Sequence, residues 1–283
     1  MMSSPVCEVP AGGLLGDTET RDYSSKLRQF NLFAERELRQ LIESLQLPQG
    51  LRVLDAGCGS GEALLWLQEA VGEHGSVSGI DLASAHVAAA RAIAPRAQVR
   101  QGDLLTLTVP AASLDLIWCV NTMHHMKDPA SVLGRLRPAL RPHGRIAVGQ
   151  SSLLPEMFFA WDARLERITN EAVRQYYRDR YSLDERDLAA VRGMVGALRR
   201  AGFTEVVART IVIERLTPLD TATEAYLRET IFRDTWGERL RPYLSGEDYA
   251  ALTCLCDPDH PQFALRRPDF HFLQSFTLVV AGT

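Results

Sequence analysis

The run Val53-Leu54-Asp55-Ala56-Gly57-Cys58-Gly59-Ser60-Gly61 sets an acidic residue beside three glycines at alternate positions. Glycine lets the backbone turn sharply and lets a ligand approach it closely, because no Cβ stands in the way. A helix beginning there offers unpaired N–H groups at its first turn. Two more carboxylates stand at comparable places: Asp81 in Ile80-Asp81-Leu82, which lies 20 residues after Gly61, and Asp103 in Gln101-Gly102-Asp103-Leu104. A carboxylate at the second place can accept both hydroxyls of a ribose. One at the third can accept the amino group of an adenine. The turn reads GxGxG, not GxGxxG, and Asp55 precedes it, so a pyrophosphate fits the charge poorly and a cationic ligand fits it well. His124 and His125 follow a further apolar run; a histidine there can take a proton from a hydroxyl, an amine or an activated carbon.

The elements that must hold these residues are legible from their patterning. LRVLDAG, SVSGID, AQVRQGD, LDLIWCV and GRIAVGQ read as strands, separated by the helical stretches GEALLWLQEAV, SAHVAAARAIA and PASVLGRLRPAL, the last opened by Pro129. LDLIWCV has no polar residue after Asp115, as expected of a strand buried on both faces. Alternating strands and helices predict a parallel sheet with helices on both faces and right-handed crossovers. The three acidic residues then sit at the carboxyl ends of neighbouring strands, where open α/β sheets bind ligands. Two helices are expected before Pro48. EVVARTIVIERL and HFLQSFTLVVAG are later strands, and LAAVRGMVGALRRAGF is a helix ending at Gly202.

Between and after these lie two aromatic-rich stretches. Residues 151–181 carry Phe158, Phe159, Trp161, Tyr176, Tyr177 and Tyr181, with Phe158, Trp161, Leu165, Ile168 and Ala172 at helical spacing. Residues 217–257 read as helical and carry Tyr226, Phe232, Trp236, Tyr243 and Tyr249. The arginines and acids of the first stretch form a solvated, ion-paired face. Residues 1–20, rich in Gly, Pro, Ser and Thr, are expected to be a mobile tail.

The chain has 283 residues and a formal net charge of −4, from 31 Lys and Arg against 35 Asp and Glu. That balance exerts no pull toward nucleic acid or an anionic membrane. The five cysteines are irregularly spaced and form no zinc-ligand pattern, so reduced thiols in a reducing compartment are expected. The start MMSSPVCEVPAGG lacks the basic and apolar regions of a secretory signal, and no apolar run has membrane-spanning length; a cytoplasmic location is the default expectation.

Taken together, VLDAGCGSG at 53–61, GIDLASAHVAAAR at 79–91, QGDL at 101–104, LDLIWCVNTMHHMKDP at 114–129 and LRPALRPHGRIAVGQ at 136–150 resemble the class I S-adenosylmethionine-dependent methyltransferases, in particular the UbiE-like or type 11 small-molecule branch. The resemblance covers residues 23–150 well and AGFTEV at 201–206 more loosely. It implies an α/β fold: a Rossmann-like, seven-stranded, mostly parallel sheet with helices on both faces and a helical substrate lid. The core would comprise residues 21–150, 184–216 and 268–283, and the lid residues 151–183 and 217–267.

The resemblance also implies roles. Gly57, Cys58, Gly59 and Gly61 would pass along the methionine portion of S-adenosyl-L-methionine, with Asp55 beneath it orienting the ammonium. Asp81 would hold the ribose hydroxyls with Leu82 beside it. Gly102, Asp103 and the Leu104 backbone would meet the adenine, and His86 would stack on it where the family often has an apolar residue. Val120 and Asn121 would contact the methionyl group near the reacting methyl, and Tyr23 would close over the cofactor. His125, and after it His124, would be the candidate base. The expected reaction is methyl transfer to O, N or C of a small organic acceptor, a secondary metabolite or aromatic intermediate, by a monomer or homodimer without nucleic-acid or membrane partners.

Each feature has a structural alternative. The alternative to a ligand-binding glycine bend is a tight strand-to-helix loop, and to a ribose-binding Asp81 a helix cap; Cys58 reads as a small packing residue and not as a nucleophile. The histidine pair can simply shape its loop; a metal site there is not expected, since adjacent side chains diverge. An aromatic helix stripe usually packs on a core. The same fold can also bind the cofactor without methylating, as a cyclase or partner protein. An RNA or protein methyltransferase is disfavoured by the charge and by the missing Asn/Asp-Pro-Pro-Tyr motif, since the fourth strand runs into Val120-Asn121-Thr122-Met123.

Overall fold

The computed structural model describes residues 15, 17–151, 162–184 and 190–283. The two helices expected before Pro48 are α1 (Ser24–Phe33) and α2 (Glu35–Ser44). There follow β1 (Arg52–Ala56), α3 (Glu62–Val71), β2 (Ser76–Asp81), α4 (Ser84–Ile93), β3 (Gln98–Gln101) and β4 (Leu114–Val120). Then come α5 (Pro129–Leu136), β5 (Leu140–Ser151), α6 (Ala163–Tyr181), α7 (Ala190–Arg200) and β6 (Thr204–Leu216). The last part holds α8 (Thr221–Ala225), α9 (Gly246–Cys256) and β7 (His271–Gly282).

The seven strands form one sheet in the order β3-β2-β1-β4-β5-β7-β6. Pairs β1/β2, β1/β4, β2/β3 and β4/β5 are parallel, and β7 runs antiparallel between β5 and β6. The chain moves outward from β1 to β3 and then returns to lay β4 against the other side of β1. That reversal makes the β1/β4 junction the switch point beside which open α/β sheets bind ligands, at the carboxyl ends of their strands. Burial alternates along the strands: Val53, Leu116 and Trp118 belong to one apolar core, while Leu54, Ala56, Ile117 and Cys119 belong to the other. Helices therefore cover both faces, as the double burial of LDLIWCV requires.

Several elements differ from the sequence expectation. The helix read across PASVLGRLRPAL ends at Leu136, followed by a 3-10 turn Arg137–Ala139, and β5 begins at Leu140. Pro138 explains the break, because it lacks the N–H an α-helix needs and clashes with the preceding turn. Within 217–257 the helix is not uniform: α8 continues as a π-helix over Tyr226–Thr235, and a 3-10 helix spans Glu238–Tyr243. Residues 17–20 are not a free tail. Asp17 is buried, 8% exposed, and the Glu19 carbonyl accepts a hydrogen bond from the Ser84 N–H at 3.0 Å. The rest of that expected tail, residues 1–14 and 16, and Phe158, Phe159 and Trp161 of the first aromatic stretch lie outside the described residues.

Among the aromatics of 217–257, Tyr226, Phe232 and Trp236 are buried. Tyr226 stacks on Phe33 of α1 at 4.3 Å between ring centroids, and its hydroxyl donates to Gln274 Oε1 at 3.1 Å. Phe232 stacks on Trp236 at 5.7 Å. This helical layer is thus fastened to α1, with Thr230 also donating to Gln29 Oε1 at 2.7 Å. Through α1 it reaches the glycine bend, since Leu27 packs closely over Gly59.

Candidate active site

The glycine bend takes its shape from β1 and β2. Gly57 N–H and Cys58 N–H both donate to the Ile80 carbonyl, at 2.8 and 3.0 Å. Gly57 has φ +88°, and a Cβ there would lie 2.3 Å from the Thr122 hydroxyl oxygen, so only glycine fits between β1 and the segment after β4. Gly61, at φ +99°, precedes α3; a Cβ on it would come within 2.6 Å of the Ala90 Cα in α4. Its missing side chain therefore serves the packing of α3 against α4.

Asp55 is 2% exposed and sits at the carboxyl end of β1. Burial, and then repulsion by Asp81, push its carboxyl well above the usual aspartate range. Among the described residues nothing donates a hydrogen bond to it and no cation pairs with it. A buried carboxylate left in that condition carries a cost that a bound cation removes. Asp81 is instead well supplied: Oδ2 accepts from Gly59 N–H at 2.9 Å, and Oδ1 from Ala83 N–H and His86 Nδ1 at 3.0 Å each. Asp103 Oδ1 accepts from Leu105 N–H at 2.8 Å. Asp103 lines a hollow of about 300 Å³ with Leu82, Gln101, Gly102 and, from the segment before α1, Glu19. Leu104 turns its side chain into the apolar core, which leaves its backbone at the site.

His86 departs from the reading as an adenine platform. Its ring is 1% exposed and bridges two protein groups: Nδ1 to Asp81, and Nε2 accepting from Tyr23 N–H at 3.3 Å. That pattern fixes the Nδ1–H tautomer and makes His86 the residue that orients Asp81. Tyr23 meets the His86 ring edge-on at 4.4 Å, and its hydroxyl donates to Asp17 Oδ1 at 3.2 Å. Burial and the neighbouring Asp17 and Asp81 push the tyrosine hydroxyl upward, so it stays protonated as a donor.

On the β4 side, Asn121 stands at φ +50°, a left-handed conformation that Asn tolerates better than most residues. Its Oδ1 accepts from Ser151 N–H at 2.9 Å and from the Ser151 hydroxyl at 3.1 Å, tying the tips of β4 and β5. Val120 is half-buried beside it. The 3-10 turn Met123–His125 follows, and it corrects the expected divergence of the two histidines: their ring centroids are 3.9 Å apart. Each is held separately. His124 Nδ1 donates to Gln150 Oε1 at 2.9 Å, and burial with repulsion by His125 lowers its basicity well below that of ordinary histidine. His125 Nδ1 meets Asp17 Oδ2 at 2.6 Å. Burial opposes the Asp17 charge, but His125, Arg21 and Tyr23 outweigh it and hold Asp17 below the usual carboxylate range.

Among the described residues no group of three or more His, Cys, Asp or Glu side chains could hold a metal. Cys58, Cys119, Cys254 and Cys256 are free thiols. Burial, then Asp55 and Asp81, push the Cys58 thiol upward, which suits a packing residue and not a nucleophile. Sequence reasoning missed Asp17, Thr122 and Gln150. Gln150 had a signal, being polar at the end of an otherwise apolar strand; Asp17 had none.

A sheet of this order, with an acidic residue and a glycine bend at the switch point, is the architecture of a ligand-binding α/β core. A methyltransferase-domain family matches residues 53–144. The nocamycin O-methyltransferase of Saccharothrix syringae is 31% identical over 218 residues, covering 72% of this chain and 75% of that enzyme. The chain belongs to the class I S-adenosylmethionine-dependent methyltransferases, whose methyl donor is S-adenosylmethionine. The 27-O-demethylrifamycin SV methyltransferase of Amycolatopsis mediterranei is 34% identical over 122 residues, 41% of this chain and 44% of that enzyme. The match thus spans less than half of that relative's length. The YcgJ protein of Bacillus subtilis shares the fold with a TM-score of 0.54 at 18% identity, over 88% of this chain and 98% of that one. Phosphoethanolamine N-methyltransferase 2 of Haemonchus contortus, solved with phosphomonomethylethanolamine and S-adenosylhomocysteine, does so with a TM-score of 0.51 at 17% identity, over 93% of this chain and 59% of that one. The residues present suit the donor: the unpaired, buried Asp55 calls for a cation such as its ammonium. Among the described residues no helix is long and apolar enough to cross a membrane.

Proposed function

We propose that this protein transfers the methyl group of S-adenosylmethionine to a hydroxyl oxygen of a small natural-product intermediate. The observation that carries the reading is Asp55, a buried carboxylate without a partner beside the glycine bend. Asp55 takes the ammonium, Asp81 the ribose hydroxyls with Leu82 alongside, and Asp103 with Gly102 the adenine amino group. Gly57, Cys58, Gly59, Val120 and Asn121 surround the methionyl part. Oxygen is favoured as acceptor because the nocamycin and rifamycin relatives are named for O-methylation.

The bound donor supplies an electrophilic methyl on a positively charged sulfur. With the donor bound, His125 would take the acceptor's hydroxyl proton at Nε2 and become an imidazolium, freeing that oxygen to receive the methyl. His124, whose basicity burial lowers, holds the turn through Gln150. The crevice contributes mainly alignment and exclusion of water.

The test is incubation with methyl-labelled S-adenosylmethionine and hydroxylated acceptors, 27-O-demethylrifamycin SV first, followed by mass spectrometry. The reading predicts a product heavier by one CH₂ unit carrying the label on oxygen. Label retained on the donor with every acceptor, or a product of unchanged mass, contradicts it.

A further inference from the structure

The base of the proposed reaction is held by a residue far away in the chain. Asp17 and His125 are 108 positions apart, yet their Oδ2 and Nδ1 atoms lie 2.6 Å from each other. Asp17 is 8% exposed and its carboxylate is fully engaged: Oδ2 on His125, Oδ1 on the Tyr23 hydroxyl, with Arg21 Nη1 at 3.8 Å. The strap that carries it, residues 17–23, is anchored at its other end by the Tyr23 N–H on His86, the histidine that holds Asp81. In between, the Glu19 carbonyl takes the first free N–H of α4 from Ser84. One short segment therefore touches the partner of the ribose carboxylate and the candidate base together.

We propose that Asp17 is a positioning residue for His125, fixing the tautomer that leaves Nε2 unprotonated and fastening the strap across the cofactor crevice. The inference rests on His125 being the base. The chemistry follows from the inventory of imidazole: an ionised carboxylate can only accept, so Nδ1 carries a proton, and in the neutral ring Nε2 keeps the lone pair. No described residue hydrogen-bonds Nε2. When His125 has taken the acceptor's proton, the imidazolium faces the Asp17 carboxylate, and a charge-assisted hydrogen bond replaces a neutral one. The positive charge that leaves sulfur thus arrives beside a fixed negative one. The other charged or titratable groups around the pair are Arg21 and Tyr23 on the strap and His124 on the turn.

The test uses the full chain labelled with ¹⁵N at histidine, examined by long-range ¹⁵N–¹H correlation at pH 8, with and without S-adenosylhomocysteine. His125→Gln assigns the signal. The proposal predicts a single neutral His125 tautomer protonated at Nδ1 in the parent protein. Asp17→Ala loses that signature and shows the mixture of a free imidazole, while Asp17→Glu keeps it. An unchanged Nδ1–H signature in Asp17→Ala, or an equal loss in Asp17→Glu, overturns the proposal. Calorimetry with S-adenosylhomocysteine runs beside it. Absence of binding to the parent protein would sink the cofactor reading, whereas normal binding with an unaltered tautomer in Asp17→Ala would sink the role of Asp17 alone.

Discussion

Glu37 and Asp55 are buried carboxylates, 4% and 2% exposed, that end in opposite electrostatic states. Glu37, on α2, is met by a bidentate guanidinium: Arg215 Nη1 and Nη2 lie 2.8 and 2.9 Å from its two oxygens, and the same guanidinium lies over the Phe33 ring. Burial opposes the Glu37 charge, but the bonds from Arg215 and Arg36 outweigh it, so the group sits below the usual glutamate range. Asp55 has burial and a like charge and nothing to offset them, so it sits well above. The first carboxylate is complete within the chain and ties α2 to β6. The second has no partner among the described residues, which is why the proposed function gives it the donor's ammonium. The difference separates structural from functional charge without reference to sequence motif.

The largest effect expected from this contrast is on stability. Arg215→Ala leaves Glu37 with Arg36 alone, bonded to one of its two oxygens, and lowers unfolding free energy by about 3 kcal/mol, the low end for a broken buried pair. Denaturant unfolding checks it, and calorimetry with S-adenosylhomocysteine should find an unchanged affinity. Loss of less than about 1 kcal/mol would place Glu37 in effective contact with solvent. Asp55→Asn reverses the pattern. Removing a charge-assisted contact worth about 1.5–3 kcal/mol weakens S-adenosylhomocysteine binding by roughly 10- to 150-fold, yet the variant unfolds no more easily than the parent. A variant that unfolds readily but binds normally would turn the comparison upside down.

Asp81→Asn should be milder. The amide oxygen can still accept from the Gly59 or Ala83 N–H, so affinity falls by about tenfold or less, about 1.4 kcal/mol, and Asp55, freed of its neighbour's charge, ionises at lower pH. Binding calorimetry over a pH series reads both. The smallest effect is a difference of sign. The folded-state value of Asp55 is raised, so its contribution to stability falls as pH rises from the ordinary aspartate range through that raised value. Glu37 is depressed, so its contribution is present above the ordinary glutamate range and is lost as pH falls through the depressed value. Thermal melts across pH should show Asp55→Asn gaining on the parent as pH rises, and Glu37→Gln gaining on it as pH falls. Parallel curves would mean that neither group is shifted.

Much of the frame was legible because it is written locally. Runs ending in glycine or aspartate marked β1 to β3, and the acidic residues Asp55, Asp81 and Asp103 fall at the ends of β1, β2 and just beyond β3 as that pattern requires. The reversed direction of β7 was not legible, since alternation reports a buried face but not strand polarity. The aromatic stretch around Tyr226, Phe232 and Trp236 shows a similar gap: spacing identifies a face, not whether protein or ligand covers it. His86 looked like an adenine contact because the resemblance implies one at its position, and only the Tyr23 backbone N–H and Asp81 reveal its ring as a bridge. Asp17 lies in a stretch without periodicity, and no local signal can announce a partner more than a hundred residues away.

The most direct test of the account is a crystal structure of the chain with S-adenosylhomocysteine. The account predicts the ligand's ammonium within hydrogen-bonding distance of Asp55 and its ribose hydroxyls on Asp81. A ligand whose ammonium lies elsewhere, with Asp55 still unpaired in the interior, would contradict it.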